Sequence, residues 1–105
     1  MRMTMVVMDV LDVVMSAPSD DLAWGLRICE ATGHGTGTVY PALERLLKAG
    51  LIQDEWEEPQ PDDRPRRRYY AITGAGLAAY QKETAARGAR KAAWTHRAPR
   101  PEGAA

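Results

Sequence analysis

The sequence predicts a mainly helical domain carrying a small β-hairpin, with one further helix after it. Three observations carry that prediction. The run Thr36-Gly37-Thr38-Val39-Tyr40-Pro41-Ala42-Leu43-Glu44-Arg45-Leu46-Leu47-Lys48-Ala49-Gly50-Leu51-Ile52 reads as a short helix that opens on hydroxyl side chains, ends at a glycine and passes into a strand. Arg64-Pro65-Arg66-Arg67-Arg68-Tyr69-Tyr70-Ala71-Ile72-Thr73 reads as a cationic turn leading into a second strand. Apolar segments of helical length precede both, and an alanine-rich segment follows. Helix, strand, basic turn, strand is the chain order of a winged helix-turn-helix.

The first segment, Met3 to Ser16, places Val6, Val7, Val10, Val13 and Val14 among Met8, Leu11 and Met15. Valines also suit a strand, but about a dozen residues is long for one in so small a domain. A helix apolar around most of its circumference must bury two faces. One meets the domain's own core and the other is left for a partner chain. Pro18 breaks this helix, and Ser19-Asp20-Asp21 supplies acceptors to cap the next. Leu22, Leu26 and Cys29 then mark its buried stripe as far as Thr32-Gly33. Gly25 inside it permits close helix packing, and Trp24 reads as a packing residue at the edge of the core.

In the third helix Pro41 cannot donate to the carbonyl four residues back. The sequence therefore favours Thr38 as the cap, or an irregular first turn from Thr36. Val39, Leu43, Leu46 and Leu47 form the buried face, with Thr38, Tyr40, Pro41, Ala42, Glu44, Arg45 and Lys48 outside or flanking it. Gly50 suits the left-handed residue that ends many helices. Leu51 to Glu58 forms the first strand, the prolines and aspartates around Pro61 form the loop, and Arg66 to Ile72 forms the return strand. Alternation sends Arg66, Arg68, Tyr70 and Ile72 to one side and Arg67, Tyr69 and Ala71 to the other. Thr73 caps a last helix running to about Trp94 or His96, in which Leu77, Tyr80 and Trp94 are the large apolar residues. The expected division is a winged-helix unit over 1–73, a helix over 74–97 and a disordered tail over 98–105.

At 105 residues the chain is one domain with a small core, which a partner subunit would help to stabilise. No apolar run approaches the roughly 20 residues that cross a bilayer, so no membrane partner is expected. The single cysteine, Cys29, allows no internal disulfide and makes the cytoplasm the default compartment. Formal net charge is zero, but residues 1–63 hold four Lys/Arg against twelve Asp/Glu and residues 64–105 hold ten against two. Such polarity suggests a basic patch on part of the surface. Neutralisation between the halves within a dimer is the other reading.

A double-stranded DNA partner needs cations for phosphates and side chains that reach base edges. The start of the third helix offers backbone N–H groups and a positive dipole end. Thr36 and Thr38 add hydroxyls, Tyr40 with Pro41 stands beside them, and Arg45 and Lys48 follow within three turns. Arg64, Arg66 and Arg67, with Arg68, put guanidiniums at the loop–strand junction, where their planar forks suit phosphate. Each of these has a plainer reading as well. Thr38 is a cap, Tyr40 a core aromatic, Arg45 and Lys48 a solvated face, and the arginines partners for Glu55, Glu57 and Glu58 across the hairpin. His34, His96 and Cys29 show no metal-ligand spacing, and no nucleophile–base pair or phosphate-cradling glycine motif is present. Neither an enzyme nor a cofactor is expected.

With these residues in view, the chain resembles the PadR family of winged-helix transcriptional regulators over roughly residues 5–85. The resemblance is densest at Gly37 to Leu46 and at Gly50-Leu51-Ile52, and resumes at Arg64-Pro65-Arg66, Tyr69-Tyr70 and Ile72-Thr73-Gly74-Ala75-Gly76, with Trp24-Gly25 in the second helix. It implies a homodimer, most simply a repressor on a two-fold operator, whose third helix enters the major groove while the wing touches the flanking backbone. It also implies a dimer built from the first and last helices, here Val6, Val10, Val14, Leu77, Tyr80 and Trp94. The brief C-terminal part resembles the compact members, in which Trp94 becomes a candidate for stacking a small aromatic effector. The sequence departs from the family pattern at Thr36 and Arg27, at Gly74 after the capping threonine, and in its Pro-Asp-Asp-Arg-Pro wing. Two alternatives stand beside this one: a winged helix used as a protein-interaction module, and a small-aromatic-ligand sensor.

Overall fold

The computed structural model describes residues 1–17 and 23–97. Four helices and a hairpin follow in order: α1 (Met5–Ser16), α2 (Gly25–Thr32), α3 (Thr36–Lys48), β1 (Ile52–Trp56), β2 (Arg68–Ile72) and α4 (Gly74–Arg97). The Pro18 break, the Ser19-Asp20-Asp21 cap, Leu22 and the tail all lie outside the described residues.

Thr4 caps α1 by accepting from the Val7 N–H at 3.2 Å. The valine-rich face then packs into the middle of the fold. Val7, Val10, Leu11, Ile28, Val39, Leu43 and Leu46 are fully enclosed. This corrects the expectation that Val10 and Val14 serve a partner chain, because both belong to the protomer's own core and Val6 packs half-buried against it. The outward residues of α1 are Met5, Asp12, Met15 and Ser16, which share one side at helical spacing.

The second helix begins later than its apolar pattern suggests, and the stripe shifts accordingly. Ala23 and Ile28 are enclosed, Cys29 is half-buried against the core, and Leu26 is 52 % exposed. Gly33 ends the helix at φ 78°, its N–H reaching the Cys29 carbonyl. A side chain at that φ would be strained, which accounts for glycine there.

Gly35, not Thr38, occupies the N-cap of α3, and no side chain caps it. Thr38 sits in the first turn, its N–H bonded to the Gly35 carbonyl at 3.0 Å and its side chain exposed. The helix tolerates Pro41 inside it and gives up the bond Gly37 would otherwise accept. Val39, Ala42, Leu43 and Leu46 face the core, so Ala42 takes the place expected for Leu47, which is half-buried. Gly50 follows at φ 73°.

The two strands pair antiparallel from Ile52↔Ile72 to Trp56↔Arg68, so both are shorter than their composition suggested. A third short edge joins them. Trp24 bridges Tyr69, and the Tyr70 N–H donates to the Ala23 carbonyl at 2.8 Å. The start of α2 is thereby pinned to the hairpin. Asp63 takes the wing's positive φ of 60°, where glycine would be more usual and aspartate is tolerated.

Thr73 joins three elements. Its N–H donates to the Leu51 carbonyl at 3.1 Å, its hydroxyl donates to Gly50 at 2.7 Å, and that hydroxyl accepts from the Gly76 N–H at 3.0 Å, capping α4 as expected. Farther along, Tyr80 donates to Asp12 of α1, and the Arg87 guanidinium donates to the Met3 carbonyl at 2.7 Å. Tyr80 is therefore engaged within the protomer, whereas Leu77 and Trp94 are exposed, Trp94 by 68 %. Among the described residues no helix is long and apolar enough to cross a membrane.

Candidate nucleic-acid interface

The exposed face of α3 and the loop end of the hairpin meet, with Tyr40 beside Trp56 and Glu44 bound by Arg68. Thr36, Thr38, Tyr40, Pro41, Arg45 and Lys48 are all exposed while the opposite face of the helix is enclosed. The amides of Thr36 and Gly37 precede the helical ladder, so the tip presents N–H groups and the positive end of the dipole. Arg45 and Lys48 have no acidic partner among the described residues.

Between α3, the start of α2 and the hairpin lies a cleft of about 490 Å³. Trp24, Gly25, Tyr40, Trp56 and Tyr70 form its walls, and Arg64 to Arg68 its rim. Gly25 is essential to this shape. A methyl group there would overlap the Tyr40 hydroxyl, so the tyrosine ring lies directly over bare backbone. Tyr40 is thus packed on one side and 39 % exposed overall.

The wing arginines have three different fates. Arg64 makes a two-pronged pair with Glu57, at 2.8 Å and 3.0 Å. The Glu57 carboxylate also accepts from the Tyr69 hydroxyl at 2.9 Å and from the Arg67 N–H at 3.4 Å. Arg68 is bound by Asp54 at 2.6 Å and reaches Glu44 of α3 at 3.4 Å. Arg67 lies over the Trp24 ring, 4.0 Å from its centroid, with its charge left for a further partner. Arg66 is exposed and has no acidic partner among the described residues. The expected alternation fails at this point, because β2 begins only at Arg68 and the two preceding arginines belong to the loop. Glu57 was anticipated as a partner. Asp54, Glu44 and the Trp24 stack were not, since each depends on contacts distant in sequence.

Arg64 above all, then Tyr69 and the Arg67 amide, hold the Glu57 carboxyl below its ordinary value, against an opposing contribution from burial. A depressed carboxylate pKa adds stability above the unfolded value and loses it as pH falls through the folded one. The wing should therefore stay closed from neutral pH to about pH 4.5 and loosen below it. Amide exchange at residues 57, 64 and 67, followed from pH 6 to pH 3, checks this. Protection at these amides that is unchanged in Glu57→Gln at neutral pH would remove Glu57 as the fastening point.

Trp56 was not singled out by the sequence, although it is 57 % exposed on the cleft wall. Its even spacing from Ile52 puts both on one face of β1, which reads as ordinary strand burial and does not reveal the cleft shared with Tyr40. Among the described residues no cluster of His, Cys, Asp or Glu could hold a metal ion.

A model of the transcriptional regulator PadR-like family matches residues 26–82, more than half of the chain. The chain belongs to that family. PadR-like proteins are transcriptional regulators, and this one carries their winged helix. A PadR family regulator from hypervirulent Clostridium difficile R20291 superposes with a TM-score of 0.73 at 18 % identity, covering 89 % of this chain and 97 % of that one. A PadR-like factor from Bacteroides fragilis gives 0.74 at 24 % identity, covering 90 % of each chain. Bacillus subtilis PadR, solved in complex with operator DNA, gives 0.63 at 14 % identity over 79 % of this chain and 48 % of that one. At such identities the likeness establishes the fold. No curated protein matches this sequence.

Proposed function

We propose that this PadR-like protein binds double-stranded DNA as a homodimer and acts as a repressor on a two-fold operator in the cytoplasm. The observation that carries the reading is the exposed face of α3 with Arg45 and Lys48, joined at Tyr40 to a cleft rim carrying Arg66 and Arg67, none of whose guanidinium or ammonium groups has an acidic partner among the described residues. The operator complex of the Bacillus subtilis relative supports it. Thr36, Thr38, Tyr40 and Pro41 present the helix tip to the major groove, and the wing arginines reach the flanking phosphates. Arg64 serves by holding the wing, since Glu57 occupies its guanidinium. Residues 74–97 supply the dimer helix, meeting a second copy through Leu77 and Trp94 beside Met5 and Met15 of α1, with Tyr80 and Val6 behind them.

Selection of bound duplexes from a random pool tests the proposal. Palindromic winners are expected, with half-sites about one helical turn apart. A protein that stays monomeric and retains no duplex at low salt would leave the protein-interaction alternative standing. Gly25→Ala gives a sharper check. The Tyr40 ring must swing off its seat, so affinity for the selected duplex should fall several-fold while folding stability changes by only about 1 kcal/mol. Calorimetry and fluorescence anisotropy on the same samples separate the two effects.

Trp94 favours a second reading, because its exposed indole stands on the helix assigned to the dimer. A planar aromatic effector held between two α4 helices would quench its emission. A broad panel of such compounds that leaves Trp94 unchanged would set that role aside.

A further inference from the structure

We infer that Trp56 is a DNA-contacting residue that supplies an apolar contact to a sugar or thymine methyl beside the α3 tip. The inference rests on the DNA-binding reading above and adds a specificity element to it. Four observations point there. The indole is 57 % exposed, large for a Trp on a short strand. It sits at the end of β1, opposite Arg68 in register, on the face that also carries Tyr70. It lines the same cleft as Tyr40, whose helix carries Thr36, Thr38 and Arg45. The cleft rim carries Arg66, which has no acidic partner among the described residues, so a polyanion is the complementary occupant.

The indole is also held in place. The Arg68 guanidinium lies 5.9 Å from its ring centroid, and Asp54 and Glu44 fix that arginine in turn. An exposed aromatic side chain fixed by a charged network loses little freedom on binding, so more of its contact appears as affinity. Its N–H can still donate to a phosphate or base edge, but its large apolar face neutralises no charge. That distinction sets the test.

The whole chain labelled with 5-fluorotryptophan gives three fluorine resonances, and Trp56→Phe identifies the one from Trp56. Adding a duplex selected from the random pool should shift or broaden the Trp56 resonance and shield it from a soluble paramagnetic agent. Trp56→Ala should weaken the same duplex about tenfold with the salt dependence of affinity unchanged, since no counterion is released at an apolar contact. Trp56→Phe should keep most of the affinity. Anisotropy that reports binding while the Trp56 resonance stays fixed and accessible overturns the inference and leaves the DNA reading intact. A flattened salt dependence in Trp56→Ala overturns it too, because the loss would then come from a displaced phosphate-binding cation such as Arg66 on the same rim. Absence of binding to any duplex overturns both.

Discussion

Gly76→Ala is expected to lower the melting temperature by on the order of 10 °C, the reverse of what helix propensity predicts. In an isolated helix this change would gain about 1 kcal/mol. Here Gly76 is enclosed in the first turn of α4, and a Cβ would overlap the Leu51 carbonyl oxygen and come within 2.8 Å of its carbon and of Ile72 Cγ1. The obstacle is backbone, which cannot rotate away. That carbonyl also accepts the Thr73 N–H, so any retreat breaks the joint between the end of α3 and the start of α4. Overpacking of this kind costs about 1–3 kcal/mol, and more where the neighbour is fixed. For a domain near 100 residues each kcal/mol moves the midpoint by about 4–8 °C. Gly88→Ala is the matched control. Beyond its own helix backbone and chain neighbours, nothing among the described residues lies within 4 Å of the added methyl, so helix propensity should act alone and raise the midpoint by a few degrees. Thermal unfolding by circular dichroism reads both; equal midpoints for the two variants would refute the close approach.

The joint at Gly76 also shows which parts of the fold were legible beforehand. Thr73 as a cap and Gly50 as a left-handed residue were read correctly, because capping and positive φ depend on nearest neighbours. The third helix was legible for a related reason: its apolar residues repeat at helical spacing between a hydroxyl-rich start and a glycine. Its cap was not, since Pro41 argued locally for Thr38, with an irregular first turn from Thr36 as the other option, while the helix begins at Thr36 and Gly35 caps it. The valines of α1 show a different limit. Their pattern announced burial on two faces, and only packing reveals that both Val10 and Val14 go to the protomer's own core. For the same reason Leu26 was read as enclosed, although the Trp24–Tyr69 bridge sets where α2 begins and turns Leu26 outward.

The candidate site was legible by composition and less so by geometry. The residue types on the α3 tip were visible in the sequence, and exposure there follows from the enclosed opposite face. The arginines could be found but not sorted. Period-two alternation applies inside a strand, and it does not reach Arg66 or Arg67 once β2 starts at Arg68. Glu44 lies 24 residues from Arg68 in sequence, so nothing local pairs them.

Sorting the arginines yields the largest difference in DNA binding that single substitutions should produce. Arg66→Ala removes a cation with no acidic partner among the described residues and leaves the clasp at Glu57 and the Asp54–Arg68–Glu44 bridge untouched. If its guanidinium neutralises one phosphate, the slope of log affinity against log salt falls by about 0.9 for each protomer bound. A two-fold dimer carries the change twice, so a decrease near 1.8 is expected and a decrease near 0.9 would indicate one engaged wing. Arg68→Ala should behave differently. Its charge is already balanced by Asp54, with Glu44 nearby, so the slope should change little. Affinity should nevertheless fall, because the Arg68–Glu44 link from the hairpin to α3 is cut and the proposed contact surface loses its fixed geometry. Anisotropy titrations at four salt concentrations distinguish the two outcomes. Identical slopes for Arg66→Ala and the native chain would take the wing out of the interface and leave α3 to bind alone.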